Sequence, residues 1–126
     1  MSRDIDSPER VAIVGAGVIG AAWAARWLLR GVDVAVRDPS ANAPRIVSQV
    51  LDNARRAWER MGTAPESEGK LDFCESIEAA VSGADVVQES VPENLDLKKA
   101  TLQQIEGSAE STTLIASSTS GLKPSL

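Results

Sequence analysis

The segment Arg10 to Gly20, RVAIVGAGVIG, constrains this chain more than any other. Arg10 to Val14 is a short apolar run with β-branched residues that stops at a glycine, which reads as a buried strand. Val18 to Arg30 follows as a helix, with Ile19, Ala22, Trp23, Arg26 and Trp27 at helical spacing along one stripe. Gly31 stands where a left-handed C-cap residue belongs. A strand that turns on glycines straight into a helix is the first half of a β-α-β unit, and such units build parallel sheets.

The rest of the chain repeats that alternation. Val32, Val34 and Val36 alternate with Asp33, Ala35 and Arg37 as a second strand, stopped by Asp38-Pro39. Pro44 opens a long helix carrying Ile46, Val47, Val50, Leu51, Ala54, Ala57, Trp58 and Met61, and Gly62 ends it. A polar loop, Thr63 to Gly69, leads to a weak strand at Leu71 to Cys74. Ser76 caps a brief helix that stops at Gly83. Ala84 to Gln88 is a fourth strand, followed by the loop Glu89-Ser90-Val91-Pro92. A helix starts at Glu93 or Asn94 and runs to Gly107. Thr113 to Ser117 is a fifth strand, ending in Ser117-Ser118-Thr119-Ser120. The expected fold is therefore α/β, a Rossmann-type doubly wound parallel sheet with right-handed crossovers. Residues 1–9 read as a flexible lead-in and 10–126 as one dinucleotide-binding domain. A two-half dinucleotide fold continues with a sixth strand, so the domain is expected to be truncated after the fifth, leaving that strand an exposed edge.

Composition excludes several classes. The chain has 126 residues, 43% of them hydrophobic, enough for one core. Its net charge of −5 argues against a nucleic-acid partner, which needs a basic surface to neutralise phosphates. No apolar run reaches the roughly 18 residues of a membrane span, and the charged start, Met1 to Arg10, is no secretory signal. A lone Cys74 cannot form an intramolecular disulfide and fits a reducing cytoplasm; it reads as a small core residue. No metal-ligand cluster is visible. Histidine is absent, so a Ser-His-Asp nucleophile cannot be built here. The acid-rich stretch Glu66 to Asp96 reads as a solvated face.

Four groups carry candidate chemistry. Gly15-Ala16-Gly17-Val18-Ile19-Gly20 is a GxGxxG between a strand and a helix. Gly15 permits the tight turn, Gly17 lets a pyrophosphate approach the backbone, and Gly20 lets helix and strand pack closely. Free N–H groups at the helix start then bind the diphosphate. Asp38, 18 residues beyond Gly20, can accept from both hydroxyls of an adenine ribose and repel a 2′-phosphate, favouring NAD over NADP. It reads alternatively as a turn-forming Asp-Pro, and Arg37 beside it as a solvated side chain. Glu89, Pro92, Glu93 and Lys98 follow the fourth strand at the sheet's carboxyl end, where ligands sit. The plain alternative is helix-start acids and a solvated lysine. The hydroxyls of Ser117 to Ser120 can hold a substrate hydroxyl or a nicotinamide ribose, or form an ordinary serine-rich turn. Trp23, Trp27 and Trp58 read as packing residues rather than a cage for a quaternary ammonium.

VAIVGAGVIGAAWAARW, QESVPENLDLKK and IASSTSGLKPS, in that order, resemble the NAD-binding half of the 3-hydroxyacyl-CoA dehydrogenase superfamily. DPSANAPRIVSQVLDNARRAW and GKLDFCESIEAAVSGADVVQESVPE look most like its L-carnitine dehydrogenase branch. The L-gulonate dehydrogenase and lambda-crystallin branch is similar through QESVPENLDLKK and SSTS. The resemblance implies that Gly15, Ala16, Gly17, Val18, Ile19 and Gly20 hold the NAD diphosphate and Asp38 the adenosine ribose. It implies that Glu93 and Lys98 lie near the nicotinamide-side ribose. It implies that Ser120 contacts the cofactor and orients the hydroxyl of a small hydroxy-acid substrate. The residue matching Ser118 is asparagine in CoA-using members, and the long second helix lacks their lysines, which weakens a 3-hydroxyacyl-CoA substrate. The catalytic histidine of the family, its glutamate partner and the helical domain that makes the homodimer follow the equivalent of Leu126. The chain alone is thus expected to bind NAD weakly without turnover. A rival of another class is a nucleotide-binding or crystallin-like module without catalysis.

Overall fold

The computed structural model describes residues 8–62, 68–91 and 94–117. Strands β1 (Arg10–Val14), β2 (Asp33–Arg37), β3 (Leu71–Phe73), β4 (Val86–Glu89) and β5 (Leu114–Ser117) alternate with helices α1 (Val18–Leu29), α2 (Ala43–Arg60), α3 (Ile77–Val81) and α4 (Leu95–Ser108). All strand pairs are parallel, in the order β3-β2-β1-β4-β5. The chain winds outward from β1 to β3, then returns to the other side of β1 for β4. The doubly wound architecture expected from the alternation is the one observed.

Side-chain alternation along the central strand creates two cores. Val11 and Ile13 join Val34, Val36 and Val86 under α1 and α2. Ala12 and Val14 join Ala35 and Val87 under α3 and α4, through Ala80, Val81 and Ile105. Cys74 packs at the edge of this second core. The residue types set the helix ends. Gly31 and Gly62 take positive φ just past α1 and α2. The Ser76 side chain accepts from the Ala79 N–H, and the Asn94 side chain accepts from the Leu97 N–H, each capping a helix start.

Two expectations need correction. The buried face of α1 is Gly20, Ala21, Ala24, Ala25, Leu28 and Leu29, not the stripe of Ile19, Ala22 and Arg26, which is exposed. Small side chains bring α1 close to both the sheet and α2. The bulky Trp23 and Trp27 are left half-buried on its flank, with Trp58 packed beside the same core. Arg26 lies 6.0 Å from the Trp23 ring centroid, so a cation occupies this aromatic flank as a packing partner. Met61 is exposed past the end of α2. The second correction concerns β4, which extends through Glu89. That residue pairs with Val14 on one side and Ser117 on the other, and is buried rather than part of a loop.

Candidate functional site

The winding order reverses between β1 and β4, and the crevice beyond the carboxyl ends of these two strands is where an open α/β sheet receives a ligand. One wall is the glycine turn. Gly15 has φ +93°, its N–H donates to the Arg37 carbonyl, and a Cβ there would lie 2.7 Å from the Ser90 carbonyl group. The turn thus presses against the loop that follows β4. A Cβ on Gly20 would lie 2.0 Å from the Gly15 carbonyl oxygen, so helix and turn close up only on glycine.

Gly17 is different: a Cβ there would meet nothing within 4 Å. It is the N-cap of α1 and offers no side-chain acceptor to the helix start. The first helical bond closes from the Ala21 N–H to the Gly17 carbonyl, leaving the Val18 and Ile19 amides without an acceptor among the described residues. Val18 and Ile19 are 73% and 59% exposed. Uncapped amides, the positive end of a helix dipole and a turn with no side chain in front form a cradle for an anionic group. The residues therefore fit a dinucleotide's diphosphate.

Asp38 joins this wall from the end of β2. Its Oδ2 accepts from the Ala16 N–H at 2.6 Å and its Oδ1 from the Ser40 N–H at 2.7 Å. The second bond is the turn expected of Asp-Pro, and the first ties the carboxylate to the glycine loop. Each carboxylate oxygen has a further lone pair for a ribose hydroxyl. Arg37 turns away from this group and donates to the Cys74 carbonyl at 3.5 Å, next to β3.

The opposite wall is made of side chains. Glu89 and Lys98 form an ion pair with side chains 0% and 4% exposed. Lys98 Nζ lies 3.0 Å from Glu89 Oε1 and 2.8 Å from Oε2. Ser117 Oγ donates to Oε1 at 2.7 Å, and the Val91 N–H donates to Oε2 at 2.7 Å. One carboxylate thus ties together β4, the loop after it, the first turn of α4 and the end of β5. The solvated lysine allowed by the sequence is not what the fold contains. Sequence reasoning grouped Glu89 with Lys98 and named Ser117 but did not see the network. The available signal was an acid closing an apolar strand, with a lysine nine residues on. Pro92, Glu93 and Ser118 to Ser120 lie outside the described residues.

A parallel sheet of this order, with a glycine turn and an uncapped helix start at its reversal point, defines a dinucleotide-binding α/β domain. Residues 10–126 match the family described as 3-hydroxyacyl-CoA dehydrogenase, NAD binding domain, and the chain belongs to that family. An L-carnitine dehydrogenase/betainyl-CoA thioesterase of Rhizobium sp is 52% identical over 117 residues, covering 92% of this chain and 24% of that protein. The L-carnitine dehydrogenase of Mesorhizobium japonicum is 50% identical over 118 residues, covering 92% and 32%. Among solved structures, a 5-formyl-3-hydroxy-2-methylpyridine 4-carboxylic acid 5-dehydrogenase, an NAD⁺-dependent dismutase, superposes with a TM-score of 0.78 at 35% identity. It is matched over 90% of this chain and 38% of its own. The chain thus spans about a quarter to a third of the length of these two curated relatives. Among the described residues no helix is long and apolar enough to cross a membrane.

Proposed function

We propose that this chain is the cofactor-holding part of an NAD-dependent dehydrogenase that oxidises the 3-hydroxyl of a small hydroxy acid, with L-carnitine as substrate. The observation that carries the reading is the open, uncapped helix start at Gly17 beside the Asp38 carboxylate. In this reading the Gly15 to Gly20 turn receives the diphosphate and Asp38 the adenosine ribose. Lys98 and Glu93 stand on the nicotinamide side, and Ser120 orients the substrate hydroxyl. NAD supplies the hydride acceptor when bound. The chain contains no histidine, so its residues hold and orient while an imidazole base comes from outside them. The substrate rests on the two carnitine-oxidising relatives. A cytoplasmic location rests on the single cysteine. A homodimer in the longer enzyme rests on the family resemblance alone.

Titration of the chain with NAD and NADP tests the cofactor half. The wild type is expected to prefer NAD. Gly17→Val is expected to abolish binding of both while leaving the chain folded, because a Cβ there meets nothing within 4 Å. Asp38→Ala is expected to weaken NAD and relax the preference. A Gly17→Val protein that binds NAD like the wild type would overturn the assignment. The substrate half is tested on a longer protein containing this domain, by comparing L-carnitine with 3-hydroxybutyryl-CoA. Faster oxidation of the CoA ester would refute it.

A further inference from the structure

The buried ion pair is a poor device for stability. Removing two charges from water costs much of what their attraction returns, and an apolar pair of similar volume often serves as well. Its position suggests another use. Glu89 is the last residue of β4, opposite Val14, the last of β1, so its carboxylate lies at the rim of the ligand crevice. The loop it holds is the loop that touches the glycine turn. The Ser90 N–H donates to the Val14 carbonyl at 2.8 Å, and the Gly15 Cα faces the Ser90–Val91 peptide.

The geometry also separates the two halves of a bound dinucleotide. The diphosphate sits at the start of α1, and Asp38 marks the β2 side as the place of the adenosine. The other half must then extend across β1 toward β4 and β5, over the residues Glu89 ties down. We propose that Glu89 is a positioning residue for the nicotinamide-side half of the cofactor, acting through Lys98, the Val91 amide and Ser117. This inference rests on the NAD-binding reading above.

A carboxylate is the group this role needs. At least four approaches converge on Glu89: two from one ammonium, one hydroxyl and one main-chain N–H. An ionised carboxylate is acceptor-only at both oxygens and satisfies them together. Glutamine has nearly the same shape but turns one acceptor into a donor, which then faces Lys98 Nζ or the Val91 N–H. The loop must shift or the lysine must leave, and either changes the crevice floor on the β4 side. The hydrogen bond from the Ala16 N–H to Asp38, on the adenosine side, uses none of these groups.

The test compares NAD with ADP, which carries the adenosine and diphosphate but no nicotinamide riboside. Both are titrated into the wild-type chain and into Glu89→Gln, with tryptophan fluorescence or calorimetry as the readout. The proposal expects Glu89→Gln to weaken NAD at least tenfold and ADP less than twofold. A merely structural role would lower both affinities together, and that result would overturn it, as would no change in either. If Glu89→Gln does not fold, Ser117→Ala decides, since it removes one hydroxyl donor at the end of β5 and leaves the ion pair. A threefold or greater loss for NAD alone supports the proposal there, and equal or absent losses overturn it. A wild-type chain that binds neither ligand would instead remove the underlying NAD reading, a distinguishable failure.

Discussion

The two walls of the crevice solve one problem by different means. On the β1–β2 side the working groups are main-chain: the Ala16 amide on Asp38, the uncapped start of α1, and glycines where no Cβ fits or none obstructs. On the β4–β5 side they are side chains from separated positions, Glu89, Lys98 and Ser117, converging on one buried carboxylate. A main-chain wall is cheap to desolvate because it carries no full charge apart from an Asp38 that is still partly exposed. A wall with buried charges holds only while every partner is present. The first wall should therefore fail sterically, at single atoms, and the second electrostatically, as a unit.

The sharpest way to break the first wall is Gly20→Ala. Its new methyl would sit 2.0 Å from the Gly15 carbonyl oxygen, a main-chain atom that cannot move without the turn. A loss of at least about 3 kcal/mol is expected in a thermal or denaturant melt. A melt within error of the wild type would show that α1 can slide.

The second wall should respond with a smaller loss and a different signature. Lys98→Met leaves the Glu89 carboxylate buried without its cation, though the Ser117 and Val91 donors remain. About 3 kcal/mol is expected, the low end for a broken buried pair because donors stay on the carboxylate. The double variant Glu89→Gln/Lys98→Met, which removes both charges, should recover a large part of that loss. Simple additivity of the two single changes would mean that the pair does not act as a unit.

A surface ion pair gives the control for both. Arg55 donates to Glu68 through Nε and Nη2, each at 2.7 Å, and to Asp52 through Nη1 at 2.7 Å. Arg55 holds the Glu68 carboxyl below its ordinary value of 4.5. The contribution of this pair is thus complete above that ordinary value and is lost as pH falls through the lower value of the folded state. With side chains 45% and 30% exposed, at most about 1 kcal/mol is expected, and less in salt. The stability gap between wild type and Arg55→Gln should narrow below about pH 4. A gap that stays constant down to pH 2 would show that the charge pair is not its source.

The two walls also differed in how readable they were. Gly15, Gly17, Gly20 and Asp38 could be assigned roles from spacing because the turn, the helix start and the next strand lie within one β-α-β unit. Within the same unit the face of α1 was misread. Two stripes satisfy the helical period, and large residues suggested the wrong one; the need for α1 to approach both sheet and α2 selects Ala21, Ala24 and Ala25. The sequence left Lys98 open between a site residue and a solvated side chain, because its burial depends on contacts made outside its own helix. Its partner lies one turn and a loop earlier, and Ser117 is 28 residues from Glu89.

The amino-acid order alone determined the alternation of strands and helices, the glycine turn and the acid that closes β2, because each depends on side-chain periods and local backbone geometry. Only the folded sheet decided that Glu89 is a strand residue and Lys98 an interior one. Their burial depends on β5 pairing with β4 and on α4 covering that edge, contacts that no short stretch of chain encodes.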